Sequence, residues 1–358
     1  MSGLRLTRRR PFTLPWIERL HRRRQIWLIT PTPELPRKSR PSDRCHDFLE
    51  GSSMARYQQT YQLRAAVAHG PQLNPRNYEH FDIEPVCGAL GAVVTRLDVK
   101  EMDESAFKEF ETALAEHLVL FVRNQVLEPE DLKQFGNRFG TLLSYPTSDP
   151  MPGHPEITAF RSKPETQYNF GGSWHSDSMF FECPPKYTIL YNLECPAVGG
   201  DTSYANLYLA WETLPDELKK KLDGAQAVNS SKLSYLGLPS LDDRSKASAS
   251  YKSEDDEAWN TEIVHPVVRT HPVTGRKALY VCDCYTAHFV GETQDDSLPL
   301  LRQLFDHSIR ADFTCRLRWR PGTLAIWDNR CCLHFAHNDY PGSVRSMWRT
   351  IVEGERPV

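Results

Sequence analysis

RLRWRPGTLAIWDNRCCLHFAHNDYPGSVRSMWRTIVE, residues 316–353, holds three short strand-like runs: RLRWR, TLAIWD and RSMWRTIVE. Aromatic and β-branched residues recur along them, and Pro321-Gly322 between the first two suits a turn. Working upstream, KYTILYNLEC, DTSYAN, HPVVRTH and KALYVCD repeat the pattern, with a hairpin turn at Thr274-Gly275. Two helical stretches, 207–222 and 297–310, interrupt the series. Many short strands with turn signals and few helices predict a mostly β fold with flanking helices, a β-sandwich or jelly roll.

The segment before residue 170 adds the flanking parts. Residues 81–99 are strand-like around Gly88 and Gly91. Residues 104–122 carry Phe107, Phe110, Leu114 and Leu118 at helical spacing, which predicts one amphipathic helix. A second helix is expected through EPEDLKQFGNRFG, with Pro129 near its start and Gly140 just past its end. The polar stretch 230–260 lacks a core pattern and is read as a lid-like loop. Residues 1–70 are read as a basic, disordered extension, and 71–358 as one catalytic domain. No internal repeat interrupts it.

Charge is unevenly spread. The net charge is −3, yet residues 1–45 hold twelve Lys/Arg against three Asp/Glu, which leaves the remainder near −12. An acidic body argues against nucleic acid as a partner. No apolar run approaches the length of a membrane span. Nine cysteines, with Cys331-Cys332 and Cys282-x-Cys284 among them, fit neither a zinc nor a disulfide framework. Reduced thiols in the cytoplasm are expected. The Arg-rich N-terminus leaves a mitochondrial presequence as the alternative.

Chemistry enters with GGSWHSDSMF, residues 171–180. In extended chain, His175 and Asp177 point to one face and can meet at one ion. LAIWDNRCCLHFAHNDY supplies two candidates for a third ligand, His334 and His337. Two histidines and one carboxylate on one face of an octahedron leave three positions open, the arrangement of non-haem Fe(II) oxygenases. The last strand adds a second clue. Arg345, Met347 and Arg349 share a face, and an inward row with two arginines needs anions to meet. The bland alternative turns that face to solvent.

WHSD, GGDTSYAN, HPVVRTHPVTGRKALYV, WDNRCCLHFAHNDY and RSMWRT, in that order, resemble the taurine dioxygenase family of Fe(II)/2-oxoglutarate-dependent dioxygenases. The resemblance spans roughly residues 81–356. It implies a double-stranded β-helix, or jelly roll, with Fe(II) at one mouth and 2-oxoglutarate and O2 as cosubstrates. By the same resemblance His175, Asp177 and His334 are the ligands, and His337 falls off the ligand position. Thr202 and Arg345 would hold the distal carboxylate of 2-oxoglutarate, and Arg349 an anionic group of the substrate.

The implied reaction converts 2-oxoglutarate to succinate and CO2 while a substrate C–H is hydroxylated; if that carbon bears a sulfonate, sulfate, amine or ether oxygen, the C–heteroatom bond then breaks. Asp177 speaks against the related halogenases, which lack this carboxylate. A metal-dependent hydrolase or isomerase on the same fold, or a silent binding protein, is the alternative. The hydrolase or isomerase would have no use for Thr202 and Arg345, and the complete triad with Arg345 speaks against a silent protein.

Departures from the family bear on the substrate. Tyr145 stands where taurine-specific members carry a histidine, glycines replace an asparagine before WHSD, and MWR replaces MHR. They point away from taurine and leave a sulfonate, sulfate ester or aryloxy/carboxylic acid. The expected partner is thus a small organic anion, with no nucleic acid or membrane, and a homo-oligomer is compatible. His265, His271 and Trp174 are read as packing residues, Asp328 and Asn329 as organisers of the turn before His334. The glycine pairs 171–172 and 199–200 are assigned to tight backbone geometry.

Overall fold

The computed structural model describes residues 62–68, 70–145, 150–165, 171–235 and 261–358. Much of the basic segment, and residues 236–260 of the expected lid, lie outside them. The strands in chain order are β1 (Asp82–Pro85), β2 (Ala92–Thr95), β3 (Val119–Val122), β4 (Leu142–Leu143), β5 (Pro150–Met151) and β6 (His154–Ser162). They continue with β7 (Tyr187–Glu194), β8 (Thr202–Asn206), β9 (Gln226–Ser230), β10 (Glu262–Pro266), β11 (Val268–Thr270) and β12 (Lys277–Leu279). β13 (Thr286–Phe289), β14 (Thr314–Leu317), β15 (Leu324–Asp328), β16 (Cys332–Ala336) and β17 (Arg345–Val352) complete the set.

Nine strands form the major sheet, in the order β1-β2-β3-β15-β7-β17-β6-β5 with β4 beside β17. A three-stranded sheet, β14-β8-β16, forms a second layer. Alternation along the central strands shows how the layers stack. On β15, Leu324 and Ile326 join one apolar cluster while Ala325 and Trp327 join another. The Trp327 side packs with Tyr204, Leu317 and Leu333 of the second layer. The Leu324 side packs under α1 (Glu104–His117) and α2 (Pro129–Asn137) through Phe110, Leu114, Leu132 and Phe135. Two facing sheets with helices on the outer face make the jelly roll with flanking helices that the short-strand pattern predicted.

Several boundaries differ from the sequence reading. The helix expected over 104–122 stops at His117, because Leu118 turns to φ 67° and returns its N–H to the Leu114 carbonyl. Val119–Val122 is a central strand buried on both faces, so it shows no alternation that would separate it from the preceding helix. Asp103 starts α1 by accepting the Ala106 N–H at 2.8 Å. The stretch 207–222 is two helices, α3 (Leu207–Glu212) and α4 (Asp216–Leu222), split at Pro215. α5 (Gln294–Ser308) starts earlier than expected, because Thr293 accepts the Asp296 N–H.

The two turns divide. Thr274-Gly275 joins β11 and β12 as a true hairpin, Val268 opposite Leu279. Pro321-Gly322 instead carries the chain from β14 in one sheet to β15 in the other. Residues 62–68 are helical and lie before the expected boundary at residue 71; Leu63, Ala66 and Val67 pack on the core.

Candidate active site

β17 runs between β6 and β7, and its period of two puts Met347 on the face toward the second sheet. Arg345 and Arg349 share that face and line a cavity between the sheets. The inward reading of this strand therefore holds. On the opposite wall, His175 and His334 form an antiparallel bridge. The N–H of His175 donates to the His334 carbonyl at 3.0 Å, and that of His334 donates back at 2.7 Å. Directly opposed residues project to one side, and the two imidazole rings are 4.1 Å apart. Asp177, two residues on, brings Oδ1 to 3.7 Å from His175 Nε2 and 3.8 Å from His334 Nε2.

Three donor atoms thus converge in a buried pocket, all within 4.8 Å of one another. Their chemistry suits a divalent cation. His175 Nδ1 donates to the Ser173 carbonyl at 2.7 Å, which leaves Nε2 with a free lone pair. Burial, with His175 alongside, pushes His334 down to about 3, so its ring is neutral. Burial pushes the Asp177 carboxyl up, but His334, Arg349, His175 and the Thr188 hydroxyl outweigh it and keep it ionised. His337 is not brought to this group. It follows β16, and its Nε2 pairs with Ser203 Oγ at 2.8 Å.

A second group of donors, His271, Asp328 and Cys331, is also close and buried. Its atoms are already committed. His271 Nε2 donates to Asp328 Oδ2 at 2.9 Å, while Nδ1 accepts from the N–H groups of Val273 and Thr274. Arg330 grips both oxygens of Asp328, at 2.8 and 2.6 Å. This cluster ties the β15–β16 turn to the hairpin β11–β12, which makes His271 the packing residue expected. His265 Nε2 likewise donates to the Phe181 carbonyl, and Trp174 packs on Phe335. At Gly199, φ is +83° and a Cβ would meet the Asp339 carbonyl oxygen at 2.5 Å, so only glycine fits there.

Next to the triad, Thr202 and Arg345 both line the cavity. Trp319 Nε1 donates to Thr202 Oγ1 at 3.0 Å, which leaves the threonine proton to offer elsewhere. The same indole ring lies 5.8 Å from the Arg345 guanidinium. Arg345 Nε and Nη2 are buried without a hydrogen-bond partner, a costly state for a cation that an anion would relieve. Arg349 lies between the rings of Tyr145 and Phe160, at 4.6 and 4.8 Å, with Nη1 4.0 Å from Asp177 Oδ1. Tyr145 meets the site through this stacking and through Ser178, whose Oγ donates to its hydroxyl at 3.3 Å.

Sequence reasoning missed Thr188 and Phe160, and gave Asn329 only a turn. Thr188 approaches Asp177 from β7, and Asn329 approaches Thr188 from the β15–β16 turn. The one signal was a hydroxyl inside the apolar run YTILY.

A jelly roll with two histidines and one carboxylate at a buried mouth, beside an unsatisfied arginine, has the build of a non-haem Fe(II) oxygenase that takes an anionic cosubstrate. Comparison with known proteins agrees. A family model described as taurine catabolism dioxygenase TauD, TfdA family, matches residues 82–351, and the chain belongs to that family. It is 34% identical over 283 residues to an alpha-ketoglutarate-dependent sulfate ester dioxygenase of Pseudomonas putida, covering 77% of this chain and 91% of the relative. It is 33% identical over 279 residues to an alkylsulfatase of Acinetobacter baylyi, covering 77% and 86%.

The crystal structure of a taurine dioxygenase from Burkholderia xenovorans superposes with a TM-score of 0.65 at 30% identity, over 78% of this chain and 93% of that one. The protein is therefore an Fe(II)/2-oxoglutarate-dependent dioxygenase, with O2 as the second cosubstrate, and the hydrolase or isomerase alternative falls away.

Proposed function

We propose that this dioxygenase hydroxylates a small organic anion, with an alkyl sulfate ester as the foremost candidate, at the carbon bearing the ester oxygen. The observation that carries the reading is Arg349, a cation held between two aromatic rings on the cavity wall, 4.0 Å from Asp177. The two relatives named for sulfate esters support that class over taurine. Tyr145 in the ring pair fits an apolar chain attached to the anion.

In this reading His175, Asp177 and His334 hold Fe(II), which with 2-oxoglutarate and O2 supplies the oxidising power that removes a substrate hydrogen. Arg345 and Thr202 bind the distal carboxylate of 2-oxoglutarate and orient its keto-acid end toward the triad. Leu190, Met347 and Trp327 line the same cavity and keep it dry. Arg349 anchors the substrate's sulfate, so that the neighbouring carbon faces the metal. One O2 and one 2-oxoglutarate yield succinate, CO2 and a substrate hydroxylated beside the ester oxygen. That product breaks down to an aldehyde and sulfate.

The eight described cysteines are unpaired, which supports a reducing, cytoplasmic setting. None of the described helices is long and apolar enough to cross a membrane. The mitochondrial alternative rests on residues outside the described ones.

A substrate panel tests the proposal. Alkyl sulfates, alkyl sulfonates and aryloxyalkanoates are supplied with Fe(II), 2-oxoglutarate and O2, and succinate is followed with released sulfate, sulfite or phenol. Sulfate and succinate in equal amounts from an alkyl sulfate are expected. An uncharged substrate turned over equally by wild type and Arg349→Ala would overturn the anion reading.

A further inference from the structure

Asp177 has two carboxylate oxygens, and its surroundings treat them differently. Oδ1 faces His175 Nε2, His334 Nε2 and Arg349 Nη1, at 3.7, 3.8 and 4.0 Å. Oδ2 instead meets the hydroxyl of Thr188, which stands on β7 opposite Trp327 of β15. Nearby donors fix the direction of that hydroxyl. Trp327 Nε1 can only donate, and it lies 2.9 Å from Asn329 Oδ1.

With its oxygen committed there, Asn329 turns Nδ2 to Thr188 Oγ1 at 2.9 Å. An amide nitrogen also only donates, so Thr188 accepts from Asn329 and its single proton goes to Asp177 Oδ2. Asn329 further holds the ligand loop itself, since its carbonyl accepts from Ser176 Oγ at 2.7 Å. Thr188 and Asn329 are fully buried, away from bulk solvent.

We propose that Thr188, aimed by Asn329 and Trp327, is a positioning residue that keeps Asp177 a one-oxygen metal ligand. It thereby reserves the coordination position that O2 needs beside the 2-oxoglutarate chelate. The inference rests on the triad assigned above. A carboxylate binds a cation through one or both oxygens, and the hydroxyl proton on Oδ2 draws off the charge that a second metal bond would use. Two imidazoles and a one-oxygen carboxylate occupy three of six octahedral positions. A carboxylate bound through both oxygens would occupy a fourth, so that the two-point chelate of the cosubstrate would fill the last two and leave none for O2.

The test uses the full chain under anaerobic conditions, with two separate affinities measured. Fe(II) binding is followed by calorimetry, and binding of nitric oxide, a stand-in for O2, to the protein loaded with Fe(II) and 2-oxoglutarate by the EPR signal of the adduct. Thr188→Val keeps the shape and removes the hydroxyl. It should raise the Kd for nitric oxide at least tenfold while the Kd for Fe(II) stays within threefold of wild type or tightens. Thr188→Ser, which restores the donor, should bring the nitric oxide Kd back within threefold.

Trp327→Phe releases the Asn329 amide and should shift the nitric oxide Kd in the same direction by a smaller factor. It carries the test should Thr188→Val fail to fold. The proposal is overturned by an unchanged nitric oxide Kd, or by a parallel loss of both affinities, which is what a purely structural role would give. Fe(II) affinity that survives His175→Ala would instead sink the triad assignment, and this proposal with it.

Discussion

Arg345 and Arg349 are four residues apart on one strand face, yet their settings differ. Arg345 leaves two guanidinium nitrogens buried and unsatisfied beside Thr202, whereas Arg349 is stacked between rings beside Asp177. Arg345→Ala should raise the KM for 2-oxoglutarate at least tenfold for every substrate, since a hydrogen bond to a charged group is worth about 1.5–3 kcal/mol. Arg349→Ala should leave that constant within about threefold and weaken the primary substrate instead. Substrate-free decay of 2-oxoglutarate should survive the second change, and steady-state kinetics with each compound varied in turn reads the difference.

Both arginines were legible in the sequence because a strand has a period of two. His175 and Asp177 were legible for the same reason. Thr188 was not, and Asn329 was legible only as an organiser of the turn before His334, because their contacts to Asp177 join residues that folding brings together from 11 and 152 positions away.

Elements whose ends were misread failed where the local pattern carried no contrast. Leu118 continues the apolar phase of α1, and the doubly buried VLFV that follows shows no alternation. Only the left-handed turn at Leu118 separates helix from strand. The end of that helix also carries an acid liability. His117 is fully buried, with neither ring nitrogen hydrogen-bonded, and burial lowers its pKa to about 4. On α5, burial likewise brings His307 to about 4, with Nε2 donating to the Ala210 carbonyl at 2.9 Å.

Each imidazole is neutral in the folded chain, while the unfolded chain takes up its proton near the ordinary value of 6.5. Between those two values the unfolded state binds more protons. Stability is therefore full above pH 6.5, falls as pH drops toward about 4, and loses no more below that from these groups. The loss is at most about 3 kcal/mol per histidine. His117→Leu should flatten the decline of Tm over this window relative to wild type. An equal slope in the two proteins would show that His117 takes no part.

At the scale of the molecule, the two sheets supply opposite walls of one cavity. The major sheet brings Arg345 and Arg349; the second sheet brings Thr202 and His334. The Pro321-Gly322 crossing illustrates what the sequence left open, because a turn signal does not say whether its strands pair or part. The family-matched region starts at residue 82, and the packed helix 62–68 lies after Met54. A chain beginning at Met54 should keep wild-type turnover and lie within about 3 °C in Tm, on the expectation that a loss below 1 kcal/mol shifts a chain of this size so little. A larger drop would show that residues 1–53 pack on the body.

The assignment on which the rest depends is that of the metal ligands. The most direct measurement is an anaerobic Fe(II) titration with 2-oxoglutarate present, read by the charge-transfer absorption of the chelate in His334→Ala and His337→Ala. Full absorption in His337→Ala and none in His334→Ala is the expected result. The reverse pattern would contradict the site built from His175, Asp177 and His334.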